Sequence, residues 1–228
     1  MFVGHYGVAL AATAADRRAR LWMTVAGCQL IDIGWGVFVA TGIERAHLDP
    51  SLPFLPYVFD YMPWTHSLPA ALAWSIAAFG AARALLRIPT KAAWLVGLTV
   101  FSHWLLDVPV HHPDLALWFG GPKIGLGFWD FPGPAQALEI GLLAVGGSIA
   151  VAGRKADGRS VAPLIAFIAL LVVLQIAAIL MPKSPNVVAI GGLPALTFVV
   201  LAAVAAWVDR AAPVGTAATG RTGSPSTA

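Results

Sequence analysis

From Leu21 to Ile43 the chain carries a single charged residue, Asp32, and comparable apolar runs recur along its length. A helix crosses the bilayer core, about 30 Å thick, with about 20 predominantly apolar residues. Runs of that length limit the fold more than any other feature of the sequence. In hydrocarbon every backbone N–H and C=O must be paired internally, so only helices and closed β-barrels can span. Barrel strands alternate apolar and polar residues, and these runs do not. The expected fold is all-α, a polytopic transmembrane helix bundle of six to seven membrane segments with no soluble domain.

The segments are expected at Phe2–Ala15, Leu21–Ile43, Ser67–Ile88, Ala92–Val110, Pro134–Ala152, Val161–Met181 and Ile190–Val208. The first is short enough to be tilted, re-entrant or half-spanning. Together they form one helical domain over residues 1–209. The tail over 210–228 is rich in Ala, Gly, Ser, Thr and Pro and is expected to be disordered, because it cannot bury enough apolar surface to offset its ordering entropy. Composition agrees: 58% of residues are hydrophobic and 11% charged, against about 45–50% and about 25% in soluble domains. A water-soluble enzyme is excluded. No basic stripe with interleaved aromatics is present, which argues against a nucleic-acid partner. A single cysteine, Cys28, rules out a disulfide framework within the chain. The first residues lack a charged leader region, so no cleaved signal peptide is expected.

Eleven of the fourteen Lys and Arg residues fall on alternate connections: Arg17, Arg18, Arg20, Arg83, Arg87, Lys91, Arg154, Lys155, Arg159, Arg210 and Arg221. Arg45, Lys123 and Lys183 fall on the others. The positive-inside rule then puts the basic connections and the C-terminus in the cytoplasm. The long loops Glu44–Thr65 and His111–Gly133, rich in Pro and aromatics, face outward. An integral membrane protein is expected.

On this topology all six histidines, His5, His47, His66, His103, His111 and His112, lie toward the outer side. An ionisable side chain at a helix centre costs about 2.5–3.5 kcal/mol on insertion scales, so it is normally paired and functional. Asp32 sits about 16 Å along its helix from Leu21, with Gln29 on the same face. His103 and Asp107 are four apart and share a face. His111 continues that stripe beyond Pro109, where the helix should kink or end. Imidazole and carboxylate on adjacent turns can hold one divalent cation, or one can orient the other. Thr65 or Ser67 can cap the next helix, which puts His66 at its outer mouth. His5 and Glu139 belong to the same level. The candidate metal ligands are His66, His103 and Asp107, followed by His5, Asp32 and His111. Asp32 and Glu139 are candidate general bases. This donor set suits Zn²⁺, and more oxygen or mixed ligands would suit Mn²⁺ or Fe²⁺.

Plainer readings stand beside these. His66 can be an interfacial histidine near a cap, and His103 with Asp107 a hydrogen-bonded pair tying helices together. His47, His112, Asp114 and Asp130 read as loop residues. Gly120-Gly121-Pro122-Lys123 reads as a turn, without the spacing of a phosphate loop. A proton or metal relay for transport uses the same residue types, although no internal repeat with broken helices is visible.

The Thr65-His66-Ser67 motif, followed by Ser102-His103-Trp104-Leu105-Leu106-Asp107, resembles the YdjM-type inner-membrane proteins, a family of predicted membrane-bound metal-dependent hydrolases. The similarity runs from about Met1 to Pro113. It implies a site histidine at His5 and an acid at Asp32. The chain departs from the family pattern at Gly34, where a second acid is usual, and at Tyr61, where a histidine is usual. The resemblance implies a metal-dependent hydrolase of a bacterial inner membrane, and the topology puts its site toward the outer, periplasmic face. At that depth an amphiphilic or lipid-linked substrate is expected.

Overall fold

The computed structural model describes residues 1–186 and 188–210, so the tail expected to be disordered lies outside the described residues from position 211 onward. Among the described residues the regular structure is almost entirely helical. The helices are α1 (Val3–Ala15), α2 (Leu21–Cys28), α3 (Leu30–Ala40), α4 (Pro63–His66), α5 (Leu68–Ala84), α6 (Thr90–Val110), α7 (Pro132–Ala156), α8 (Ala162–Leu180) and α9 (Leu193–Arg210). A π-helical turn, Val188–Gly192, leads into α9.

Four helical stretches are long and apolar enough to cross a bilayer: α6, α7, α8 and Val188–Arg210. The bent pair α2 and α3 makes a fifth if it is one span. The expected count of six to seven is not reached on length, because α1 has 13 residues and α5 has 17. These are about 20 and 26 Å long, short of the roughly 30 Å hydrocarbon core.

Helix α1 is mostly apolar and largely buried. Val3, His5, Tyr6, Ala9 and Leu10 have no exposed surface. It lies along α7 at a contact between Gly7 and Gly146, where a Cβ added at Gly146 would overlap the Gly7 carbonyl. Small residues let membrane helices approach this closely. The same device joins α3 to the π-helical turn, where a Cβ on Gly36 would overlap the Gly191 carbonyl.

The Leu21–Ile43 run is not one helix. It bends by 47° between α2 and α3. Gln29 sits at the break with φ −113° and ψ 5°, and its N–H turns back to Gly27 O. Ser67 caps α5 by accepting from Ala70 N at 3.3 Å. Pro109 falls in the last turn of α6, and the chain leaves the helix at His111 in extended conformation. The freed Val108 carbonyl accepts from Leu126 N at 2.9 Å.

The two long loops correct the all-α expectation, since each contains a short antiparallel hairpin. In the first, β1 (Arg45–Leu48) pairs with β2 (Tyr57–Tyr61) in the register His47 to Val58, with an irregularity between Arg45 and His47. In the second, β3 (Leu115–Ala116) pairs with β4 (Lys123–Ile124). Aromatic and β-branched residues in β2 favour the strand. A lone hairpin is marginal in water; here Phe59 of β2 packs on Trp35 and Trp129, with ring centroids 5.5 and 5.9 Å apart.

At the opposite end of the bundle, Asp209 of α9 accepts from Leu21 N and Trp22 N at 3.2 and 3.1 Å, closing the N-terminus of α2. Asp16, in the α1–α2 turn, is held down to a pKa of about 2 by the Arg18 side chain that bonds to it. That link is therefore intact above the ordinary carboxylate range and is lost only as pH falls through about 2.

Candidate metal centre

Five ligand-bearing side chains meet where α1, α3, α4 and α6 come together. His103 and Asp107 lie one turn apart on α6, with His103 Nε2 3.1 Å from Asp107 Oδ2. His103 Nε2 also lies 3.4 Å from Asp32 Oδ1 of α3. His66, at the end of α4, places Nε2 3.3 Å from Asp32 Oδ1 and 3.8 Å from Asp107 Oδ2. His5 of α1 approaches from the other side, with Nε2 3.2 Å from Asp107 Oδ1. Its ring stacks on His103 at 3.9 Å. His111 adds a sixth group, with Nε2 3.7 Å from Asp107 Oδ2. Two sets of three, His5–His103–Asp107 and Asp32–His66–His103, have ligand atoms close enough to share an ion.

The imidazoles are oriented from behind. His103 Nδ1 lies 2.7 Å from the Cys28 carbonyl, at the bend between α2 and α3. A carbonyl only accepts, so Nδ1 carries the hydrogen, and in the neutral ring Nε2 presents its lone pair. His111 Nδ1 lies 2.8 Å from the Asp114 carboxylate, and the same reasoning applies. Thr65 Oγ1 donates to Glu44 Oε2 at 2.7 Å and therefore accepts from His66 Nδ1 at 2.8 Å. With neutral rings, three Nε2 lone pairs point at two carboxylates; with charged rings, the Nε2–H groups point at the same oxygens. Two buried carboxylates repel each other in a low-dielectric interior unless cations offset them; the Met1 amino group, 2.8 Å from Asp107 Oδ1, offsets one, and a metal ion among the donors would offset the other. Tetrahedral donors about 2.0–2.2 Å from a zinc ion are about 3.3–3.6 Å from one another. The separations around Asp32 Oδ1 and Asp107 Oδ2 fall close to that range, so the residues fit a divalent ion. Both His5 nitrogens and His103 Nε2 are buried without a hydrogen-bond partner among the described residues.

The surroundings are dry. Asp107 is 1% exposed and both His5 and His103 are 0%. Trp35 and Trp129 stand over His66 and His111, with ring centroids 6.4 and 4.2 Å away. Trp104 Nε1 donates to the His66 carbonyl at 3.0 Å. Asp32 differs from Asp107 in keeping 19% of its side chain exposed.

The other candidates separate. Glu139 lies on α7 but is turned to the start of α1, where Oε2 accepts from Phe2 N at 2.7 Å and Gly4 N at 3.2 Å. It belongs to neither set of three. Glu139→Ala is accordingly expected to cost about 0.5–2 kcal/mol, as loss of a helix cap does, and to leave bound metal unchanged. Thermal unfolding with metal analysis checks both. His112 pairs with Asp130 at 2.9 Å and His47 with Asp60 at 2.8 Å, both away from the cluster.

Sequence reasoning missed two supporting acids. Asp114, read as a loop residue, orients His111. Glu44 is buried and accepts from Trp64 N, Thr65 N and Thr65 Oγ1 at 2.8, 3.0 and 2.7 Å. Burial pushes its carboxyl above the ordinary value, against the pull of Thr65 and the two backbone amides. Glu44→Gln is expected to weaken metal binding about 10–100-fold, the usual effect of removing an outer partner of a ligand. A metal titration with unchanged affinity would remove Glu44 from the site. The Met1 amino group lies 2.8 Å from Asp107 Oδ1. No family model, curated protein or solved structure matches the chain.

Proposed function

We propose that the chain is a membrane-embedded, metal-dependent hydrolase whose site opens toward the outer face of a bacterial inner membrane. One observation carries this reading. Three imidazoles, each with Nδ1 held by an acceptor behind it, turn Nε2 toward Asp32 and Asp107 in an aromatic-walled space exposed only at Asp32. His66, His103 and Asp107 are the central ligands, with His5, Asp32 and His111 completing the set. Zinc is the ion best suited to these donors. When bound, such an ion supplies Lewis acidity and an acidified water. Asp107, fully buried, holds charge and orientation. Asp32, partly exposed, is placed to take a proton from a reacting water and release it to solvent.

The C-terminus is cytoplasmic in this reading, and α1 and α5 are the short members of a six- to seven-segment bundle. An apolar cavity of about 160 Å³ beside the cluster, lined by Met1, Phe54, Leu55, Trp129 and Ile179, supports an amphiphilic or lipid-linked substrate. Glu139 and Lys183 also line it, one charge of each sign. Transport is the weaker reading, because the packing between the cluster and the basic end is largely apolar: Leu10, Leu21, Val25, Phe167 and Leu201 form one core there.

The test is metal content and activity together. Purified from metal-replete cells, the protein is expected to hold at least one divalent ion per chain. Hydrolysis of amphiphilic phosphoesters or amides is expected to stop on chelation and return with zinc. A metal-free protein that takes up none on titration would end this reading.

A further inference from the structure

We propose that the basic end of the bundle holds a second site, one that binds a phosphate-bearing anion. A cavity of about 240 Å³ opens there between the α1–α2 turn, the end of α7, the start of α8 and Asp209. It lies beyond the far end of α1 from His5, and it does not depend on the metal reading.

Four arginines line it, Arg17, Arg20, Arg154 and Arg159, against two acids, Asp157 and Asp209. The two acids offset only part of that charge. Asp157 pairs with Arg17. Asp209 is occupied by the Leu21 and Trp22 amides. Arg159 donates to the Asp209 backbone carbonyl at 3.0 Å, a neutral acceptor. Arg154 is the informative member. It is 7% exposed, and its Nη2 donates to the Val208 carbonyl at 2.6 Å. Its Nε is buried and finds no hydrogen-bond partner among the described residues.

A buried guanidinium with an unused donor, in a cavity where four arginines face two acids, is unfavourable by itself. An anion in the cavity resolves both deficits. The guanidinium fork matches phosphate oxygens in two-point geometry. The cavity is smaller than the about 300–1,000 Å³ of pockets for drug-sized ligands, which suits a single phosphate group rather than a large metabolite. Basic pockets between membrane helices are a recurring way of holding anionic headgroups. The phosphate can belong to a phospholipid headgroup or to a soluble ion.

The full-length protein is tested in two arms. In the first, it is placed in nanodiscs of phosphatidylcholine with or without phosphatidylglycerol, and lipid retained per chain is counted by native mass spectrometry. In the second, detergent-solubilised protein is titrated with inorganic phosphate and its thermal unfolding is followed. Arg154→Gln and Arg20→Gln are compared in both. Arg20 is exposed, so its variant folds normally and keeps the test decisive if the buried variant does not. The expected result is one preferentially retained anionic lipid, or a phosphate-dependent rise in Tm. Either weakens about fivefold when one arginine is removed. Retention of lipid without a phosphate effect identifies a headgroup site, and a phosphate effect alone identifies a soluble anion. Absence of both effects in the wild type overturns the proposal, as does equal binding by wild type and Arg20→Gln.

Discussion

His103→Ala is expected to abolish stoichiometric metal binding, the largest single effect at the proposed centre. His103 is the one residue common to both ligand sets. Its loss should therefore exceed the about 10–100-fold that removal of an outer partner costs. The same substitution strands the Cys28 carbonyl, so about 1–3 kcal/mol of stability should go with it. Stability alone does not separate a metal ligand from a structural histidine, but metal-dependent stability does. A ligand at 100 times its Kd stabilises the native state by about 2.7 kcal/mol. The wild type should gain that on zinc addition, and His103→Ala should gain nothing. A wild type whose Tm ignores zinc would favour a purely structural ion-pair cluster.

Gly146→Leu is expected to have the largest effect on stability. The added side chain would overlap the backbone of Gly7, which cannot swing aside as a flexible side chain can. Overpacking costs typically about 1–3 kcal/mol, occasionally more, and backbone against backbone belongs at the upper end. At about 2–4 °C per kcal/mol for a chain of this size, Tm should fall by about 6–12 °C. Displacing α1 also withdraws His5 from Asp107, so metal affinity should fall in parallel. Gly141, on the same helix, has nothing within 4 Å of an added Cβ. Gly141→Leu should leave both properties nearly unchanged. Equal Tm values for the two variants would mean that the Gly7–Gly146 contact does not hold α1 against α7.

Parts of the centre were readable in advance because they are local. The four-residue step from His103 to Asp107 is a helical repeat, and Pro109 marks where that helix must end. Ser67 followed by Leu68 and Pro69 is a recognisable helix start. Asp32 stood out because charge is scarce in its surroundings. The bend at Gln29 was not readable, since neither proline nor a glycine pair marks it. The hairpins were obscured by the prolines around them. Glu44 and Asp114 looked like ordinary loop acids, because their roles depend on a threonine twenty-one residues away in one case and on a turn closing back onto His111 in the other.

The sequence by itself determined that the chain is a helical membrane-compatible protein, and which residues are too costly to bury without a partner. Those are properties of composition and of periodicity within single helices. Only the tertiary structure decided that His5, Asp32, His66, His103 and Asp107 face one another, while Glu139 turns to the start of α1. Convergence of that kind depends on how closely helices can approach and where one bends. Here the Gly7–Gly146 contact and the break at Gln29 set both, and neither the depth of a helix contact nor the direction of a bend is written in the spacing of residues along one helix.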